Sequence, residues 1–284
     1  MIEQVRNKAR ELLAAKLVDC VIGYERATDG LTARPAFVYS AQDADRLIFD
    51  GTCVHNLTRY LRDRKDKVTA VVAKPCDSRA INVLLNEKQL ARDKVYVIGV
   101  VCPGMKAAAW GQAGDKLQGG CQTCRQHVPP IYDFLAGQPP TSEPAPAGYP
   151  DVADFEGKSA AEKRAFWAGQ FDSCIRCYAC RQACPGCYCP ECFVEQLDPT
   201  WVGIRIAPRE NEVWNAIRAI HLAGRCVNCG ACEQACPMNI PLMLLNHKLE
   251  KDSREAFGFE AGLDAETAAP FATFKKDEKL ETAE

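Results

Sequence analysis

The 284-residue chain lacks several features that would place it in common protein classes. It has no uncharged apolar run of about 18 residues, so no membrane insertion is predicted. Its net charge of −2 gives no support for a nucleic-acid partner. The N-terminal stretch MIEQVRNKARELL has no apolar signal-peptide core, and we expect a cytoplasmic protein.

Catalytic signatures are also scarce. The chain has four histidines, and we find neither a nucleophile–base pattern nor paired acids, so no catalytic residue is predicted. No Gly-x-Gly-x-x-Gly motif occurs, which gives no support for a Rossmann dinucleotide site. Cysteine, by contrast, is abundant at 17 residues. An odd cysteine count in a long chain favours thiolate-bound metal in a reducing compartment over a disulfide scaffold.

The first part of the chain predicts a small α/β domain. Apolar, β-branched runs at 68–73 and 95–101 are typical of buried strands, and a helix is predicted between them at 79–90. A strand–helix–strand order with short connections indicates a parallel sheet. The remaining periodicity predicts helices at 2–17 and 55–64 and strands at 18–24 and 36–39.

Two copies of one cysteine motif occur in the second half of the chain. Residues 174–185 and 226–237 both follow the spacing C-x2-C-x2-C-x3-C-P. Three close cysteines reach one 4Fe-4S cubane, and the fourth serves the other cluster in two-cluster ferredoxins. Structural zinc sites prefer two separated ligand pairs, which this spacing does not provide. The predicted ligands are Cys174, Cys177, Cys180 and Cys236 for cluster one, and Cys226, Cys229, Cys232 and Cys184 for cluster two.

Three more cysteines, Cys187, Cys189 and Cys192, lie in the insert between the two motifs and are candidate metal ligands. Their spacing is unusual, and it leaves three interpretations open. They bind another cluster, they bind zinc with a fourth ligand from elsewhere, or they remain partly buried free thiols.

A further group of cysteines follows the predicted core strands of the first domain. Cys76 follows the first of these strands, Cys102 follows the second, and Cys121 and Cys124 form a CxxC pair. Because the carboxyl ends of parallel strands meet at one edge of a sheet, these four thiols predict a third 4Fe-4S cluster. The alternative is that Cys76 and Cys102 pack as small buried residues.

Lys74 and Asp77 lie at the start of the helix that follows the first core strand. Helix N-termini favour anions, so these two residues are candidate cofactor-binding residues for a phosphate group. The alternative is that Asp77 or Ser78 simply caps the helix.

Composition divides the chain into four parts. An α/β iron–sulfur domain at 1–137 is followed by a proline-rich linker at 138–150 and by a helical and irregular, ferredoxin-like α+β domain at 151–252. Residues 253–284 form either a loose terminus or an arm that wraps a partner. Within the ferredoxin-like domain we predict a capping box at Ser159–Glu162, a helix at 210–223 with Val213, Trp214, Ile217 and Ile220 on one face, and a helix at 241–251.

The stretches Val71–Asp77 and Ile98–Cys102, together with Cys121-x-x-Cys124, resemble the beta-subunit family of deazaflavin-reducing hydrogenases and formate dehydrogenases over about residues 1–135. This resemblance implies a cluster with Cys102, Cys121 and Cys124 as ligands, Cys76 as a candidate fourth, and often FAD. The two cysteine motifs resemble bacterial two-cluster ferredoxins, and 221–241 is similar to the dicluster domains of heterodisulfide-reductase-type subunits. The long segment that completes the family's flavin-binding half is missing after Cys124.

These patterns predict a non-catalytic iron–sulfur electron-transfer subunit of an anaerobic oxidoreductase complex. Its expected partners are other subunits of the complex and a soluble ferredoxin or flavin-type carrier. One alternative is a subunit that binds FAD and exchanges hydride with a deazaflavin or nicotinamide carrier. The other is a zinc-stabilised scaffold without redox function, against which the cysteine spacing argues. His221, near the second motif, is interpreted as a packing residue. The arginines beside the motifs are interpreted as surface charges: Arg176, Arg181 and Arg225.

Overall fold

A computed structural model describes residues 1–109, 112–140 and 148–272 of the chain. The strands in these ranges are β1 Cys20–Arg26, β2 Ala33–Val38, β3 Thr69–Ala73, β4 Val95–Val100, β5 Lys106–Ala109, β6 Gln112–Leu117 and β7 Phe134–Ala136. One sheet has the order β2-β1-β3-β4-β7, and β5 pairs with β6 in a separate hairpin. Strand β2 is antiparallel to β1, and the other pairs of the large sheet are parallel.

Most of the α-helices in the described ranges lie in the second half of the chain. The helices are α1 Ile2–Ala14, α2 Pro75–Asn86, α3 Gly119–Gln122, α4 Pro150–Glu156, α5 Ala160–Asp172, α6 Ala179–Ala183, α7 Pro208–His221, α8 Ala231–Gln234 and α9 Leu242–Phe257. The predicted capping box opens α5, where Ser159 and Glu162 bond to each other's backbone N–H groups. None of the helices in the described ranges has the length and apolar content needed to span a membrane.

The position of β3 and β4 within the sheet explains why both strands are continuous apolar runs in the sequence. Val71 and Val97 pack on one face of the sheet, and Val72 and Ile98 pack on the other. Strands buried on both faces have no solvent side, so they do not alternate between polar and apolar residues. The predicted α/β class and the parallel pairing of these two strands are confirmed.

Helix α2 begins with a buried ion pair. Pro75 occupies its first position, and the Asp77 carboxylate accepts a 2.9 Å hydrogen bond from the Lys74 backbone N–H. The Lys74 ammonium lies 2.9 Å from the same carboxylate, and it also donates to the His55 carbonyl and to the Tyr24 hydroxyl. The helix therefore starts four residues before the predicted position, and Lys74 rather than Asp77 or Ser78 is its N-cap residue.

Residues 55–64 do not form the predicted α-helix. They form two short 3₁₀ turns, Leu57–Tyr60 and Arg62–Arg64. The Leu57 N–H donates to the Asp77 carboxylate at 2.7 Å, and the Thr58 hydroxyl donates to the Asp77 carbonyl at 2.8 Å. These long-range bonds hold the segment against the start of α2 and take the place of a regular helical ladder.

The region after α9 packs back on the first domain. Helix α9 passes its predicted end at 251 and stops at Phe257, where Gly258 adopts a left-handed conformation with φ of 62°. Residues 260–265 then run along α2. The remaining residues of the predicted tail, 273–284, lie outside the described residues, as do 141–147 of the predicted linker. The division of the chain into four parts stays a prediction.

Three side chains of α2 hold this returning segment. Arg79 Nε donates to the Ala261 carbonyl at 2.8 Å, and the Asn82 amide donates to the Gly262 carbonyl at 3.0 Å. The Asn86 amide adds a third bond, to the Ala265 carbonyl. Gly262 has φ of 75°, and a Cβ there would lie 2.2 Å from the Arg79 carbonyl oxygen, so this close approach requires glycine.

The buried ion pair at the start of α2 leads to a stability prediction. Asp77→Asn leaves the Lys74 ammonium buried without its counter-charge, which costs about 3 kcal/mol. We expect a matching fall in the urea midpoint measured by circular dichroism. Asp63→Asn is the matched control, because Asp63 pairs with Arg59 on the exposed surface and such pairs contribute about 0–1 kcal/mol. Equal midpoints for the two variants would show that the buried pair contributes no stability.

Candidate iron–sulfur sites

The structure gathers the predicted cluster-one cysteines around one cavity. We call Cys174, Cys177, Cys180 and Cys236 set one, and all four line this cavity. Trp214 of α7 closes one side and is almost fully buried. Cys174, Cys180 and Cys236 are buried, whereas Cys177 is exposed at the protein surface. Cysteines of both motif copies thus line one cavity, and their assignment as ligands of one cluster stays a prediction.

The two motifs share the same backbone conformation. Arg176 and Asn228 hold equivalent positions and have positive φ angles of 49° and 58°. Tyr178 and Gly230 are also equivalent, and both are left-handed residues that precede a short helix. Left-handed residues reverse the chain direction locally, so three close cysteines can surround one site. The internal repeat in the sequence is therefore a structural repeat.

Set two consists of Cys226, Cys229, Cys232 and Cys184. Backbone N–H groups of Asn228 and Ala231 donate to the Cys226 and Cys229 sulfurs, respectively. The Asn246 amide of α9 lies 3.6 Å from Cys232 Sγ. Cys184 enters from the first motif, and its thiol hydrogen-bonds with that of Cys187.

The N-terminal set, Cys76, Cys102, Cys121 and Cys124, lines a second cavity. Cys102 follows β4, Cys76 lies in the first turn of α2, and Cys121 lies in α3, so the strand ends bring the four thiols together. Cys121 Sγ accepts hydrogen bonds from the Met105 N–H at 3.3 Å and from the Gln118 amide at 3.2 Å. Cys229 of set two lines the same cavity, so this site directly adjoins set two.

The buried face of α7 carries polar side chains toward the cysteines. The Asn211 amide donates to the Cys174 carbonyl at 2.7 Å, and the Asn215 amide lies 3.8 Å from Cys174 Sγ. Arg218 continues the same stripe at helical spacing and lies 4.0 Å from Cys187 Sγ. The apolar face predicted for this helix is wrong in part, because Trp214 is buried but Val213 and Ile220 are exposed.

These donor sets fit iron–sulfur clusters. Burial raises the pKa of Cys180 to about 12 and the pKa values of Cys102 and Cys229 to about 11, so these thiols stay protonated until a metal displaces the proton. In the described ranges, no three His, Cys, Asp or Glu side chains converge closely enough to hold a single ion. The cysteines of a cubane bind different irons, so they surround the cluster instead of converging on one point.

The three insert cysteines lie in different surroundings. The hydrogen bond from Cys184 and the Arg218 charge lower the pKa of Cys187 to about 6. Cys192 packs at the edge of the core that contains set one, and Cys189 is exposed. The structure therefore separates Cys187 from the other two and places it beside set two.

Several residues near the sites differ from the sequence interpretation. Arg176 is buried rather than solvated and donates to the Gly203 carbonyl at 2.5 Å. His221 is exposed. His247 is the histidine near set two, with Nδ1 2.5 Å from Asp151 and Nε2 2.6 Å from the Asn228 side chain. The histidine and the asparagines on the buried faces of α7 and α9 were missed because polar residues in a helix usually indicate an exposed face.

The predicted phosphate site at Lys74 and Asp77 already has internal partners. Both side chains are fully buried and pair with each other, although Lys74 also lines the edge of the N-terminal cavity. Cofactor binding by these residues, and FAD binding in general, stay predictions.

Comparison with known proteins agrees with the cysteine chemistry. The model of the 4Fe-4S binding domain family matches residues 220–241. The F420-dependent formate dehydrogenase subunit beta of Methanocaldococcus jannaschii is 25% identical, and the alignment covers 89% of each chain. The F420-dependent formate dehydrogenase 1 subunit beta of Methanococcus maripaludis is 27% identical over 90% of this chain and 89% of its own.

The chain is homologous to formate dehydrogenase beta subunits. This confirms the resemblance inferred from the strand-end cysteines, and the domain match confirms a 4Fe-4S binding domain. The matched residues include three set-two cysteines and Cys236 of set one. The number of clusters and the ligand of each iron are matters for the proposal below.

The surroundings of the insert cysteines lead to a ligand prediction. Cys184→Ala removes a half-buried thiol beside Cys232 and should lower the iron content by about four atoms per chain. Cys189→Ala is the matched control, and because Cys189 lines neither of the two cysteine cavities we expect its iron content to equal that of the wild type. Iron is measured after anaerobic purification of each full-length variant. A normal iron content in the Cys184 variant together with a loss in Cys187→Ala would transfer the ligand role to Cys187.

Proposed function

We propose that the chain is the iron–sulfur electron-transfer subunit of an oxidoreductase complex and that it relays single electrons along three 4Fe-4S clusters. The N-terminal set, set two and set one would each hold one cluster, in that spatial order. The observation that carries the proposal is that each set lies against the next. Cys229 of set two lines the cavity of the N-terminal set, and Cys232 of set two packs with Cys180 and Cys236 of set one.

A bound 4Fe-4S cluster takes up and returns one electron without breaking a covalent bond. The role of this chain is then to hold the sites close together, to exclude water and to set their potentials. Most of the predicted ligands are buried or half-buried, and hydrogen bonds reach the sulfurs from Gln118, Asn246 and backbone N–H groups. Hydrogen bonds to sulfur and the degree of burial are the main protein features that tune cluster potentials.

Set one is the end of this relay at the protein surface. Its ligand Cys177 is exposed, and Ile175, Tyr178 and Met238, which line its cavity, are exposed as well. The Arg176–Gly203 hydrogen bond joins this region to a segment with three further exposed side chains. We define the apolar surface as Ile175, Tyr178, Trp201, Ile204, Ile206 and Met238.

This apolar surface is the proposed contact with another subunit. Clusters of exposed apolar side chains are typical of protein–protein interfaces, and here Ile175, Tyr178 and Met238 line the cavity that contains Cys177. The two relatives are beta subunits of formate dehydrogenases, so the proposed partner is the catalytic subunit of an enzyme of that type. A soluble carrier such as a ferredoxin would exchange electrons at the opposite end.

The number of clusters provides a direct test. We expect about twelve irons and about twelve acid-labile sulfides per chain after purification without oxygen. Cys121→Ala should lose about four of each, because Cys121 belongs to the N-terminal set alone. Cys20→Ala is the control, because Cys20 is a buried thiol in the core of the sheet and belongs to none of the three cysteine sets.

About eight irons in the wild type would remove the N-terminal cluster, and an iron-free protein would refute the electron relay. The same samples are precipitated with acid to release any flavin. Stoichiometric flavin would favour the alternative in which this chain exchanges hydride with a deazaflavin or nicotinamide carrier.

The apolar surface can be tested by substitution. Ile204→Glu places a charge at the centre of the proposed interface, and we expect the affinity for the catalytic subunit to fall at least about tenfold. Leu31→Glu is the matched control, because Leu31 is similarly exposed but lies in the β1–β2 turn of the first domain. Both variants are compared by anaerobic co-purification from the native host, with iron content as a check on folding. Unchanged recovery of the catalytic subunit with the Ile204 variant would place the interface elsewhere.

A further inference from the structure

Arg218 is a buried cation surrounded by sulfur. It lies in the last turn of α7 and is only 4% exposed. Its Nη1 atom is 4.0 Å from Cys187 Sγ, and the guanidinium also donates to the Cys232 thiol. Cys180 of set one and Cys184 of set two are near enough to interact with its charge. The side chain therefore contacts the surroundings of both ferredoxin-type sites.

The partners of Arg218 differ from those of the other arginines near the motifs. Arg181 pairs with Glu195 at 3.5 Å, and Arg225 pairs with Glu87 at 2.5 Å. Within the part of the chain that the structure describes, Arg218 takes part in no ion pair with a carboxylate, and its Nε atom has no hydrogen-bond partner. Its neighbours among the charged and titratable groups are thiols.

An isolated guanidinium in this position would be strongly destabilising. Arginine does not lose its proton in proteins, so burial cannot be relieved by neutralising the side chain. A buried charge that lacks a partner costs several kcal/mol. The thiols of set one and set two lose their protons when they bind metal, and the bound clusters then add negative charge beside this guanidinium.

We propose that Arg218 is a positioning residue whose positive charge is shared by the clusters of set one and set two. An added electron makes either cluster more negative by one unit, so a fixed positive charge beside both stabilises both reduced forms. The charge therefore raises the reduction potentials of both clusters. This proposal rests on the proposed function, because it requires clusters on both sets.

The test is a redox titration of the full chain, monitored by electron paramagnetic resonance at low temperature. In Arg218→Gln the iron content should stay the same while the potentials of both ferredoxin-type clusters fall. A tenfold change in a one-electron equilibrium corresponds to about 59 mV, and we expect at least that shift for each cluster. The N-terminal cluster should keep its potential, because Arg218 does not line that cavity.

Two further variants separate charge from packing. Arg218→Lys keeps the charge and should retain most of the wild-type potentials, even if Arg218→Gln binds less iron. Arg209→Gln makes the same charge change at an exposed position of the same helix and should leave every potential unchanged.

Three outcomes would overturn the role of Arg218. In Arg218→Gln, these are a shift in the potential of only one ferredoxin-type cluster, or no change in either potential. The third is an equal loss of iron in the Gln and Lys variants, which would indicate that Arg218 acts through packing alone. Absence of cluster signals in the wild type is a different result, because it would refute the proposed function itself.

Discussion

The cost of placing sulfur ligands and their charge away from water is the constraint on which the second half of the chain depends. A buried charge is tolerated only when it is paired or hydrogen-bonded. Asn215, Arg218 and Asn246 extend from helices α7 and α9 toward cysteine sulfurs. Metal binding would give these polar faces negatively charged sulfur as a partner, so the proposed clusters would stabilise the packing of both helices.

The same constraint joins the two halves of the chain. The Gln118 amide donates to Cys121 Sγ of the N-terminal set and lies 3.4 Å from the Cys229 carbonyl of set two. The Asn56 amide similarly donates to the Cys229 thiol and lies 3.5 Å from the Cys76 carbonyl. Each amide serves ligands of both sites, so the spacing between them depends on single side chains and not only on domain packing. The segment that returns along α2 after Phe257 adds a second connection between the halves.

Local patterns predicted those parts of the structure that local interactions determine. The β3–α2–β4 unit and the repeated cysteine loops depend on short-range periodicity and spacing, and the structure contains them. The helix predicted at 55–64 was wrong because hydrogen bonds to Asp77, which is distant in sequence, override the helical periodicity of this segment. The prediction of an apolar buried face on α7 was wrong in part for a related reason. Hydrophobic periodicity assumes an apolar core, whereas this core contains cysteine sulfur. No local pattern indicates that the N-terminal set adjoins set two, because that contact is made by side chains distant in sequence, such as Gln118 and Asn56.

The two ends of the cysteine array present different chemistry. Near set one the surface is apolar, with Trp201, Ile204 and Ile206 more than half exposed. The cavity of the N-terminal set is instead lined in part by Arg79, Arg254 and Glu260, and Glu260 pairs with both arginines. Permanent interfaces are generally larger and more hydrophobic than transient redox contacts, which depend more on charge. The apolar surface therefore has the composition expected of the proposed permanent interface, whereas Arg79, Arg254 and Glu260 are already paired within the chain. This difference favours set one over the N-terminal set as the location of the proposed permanent contact.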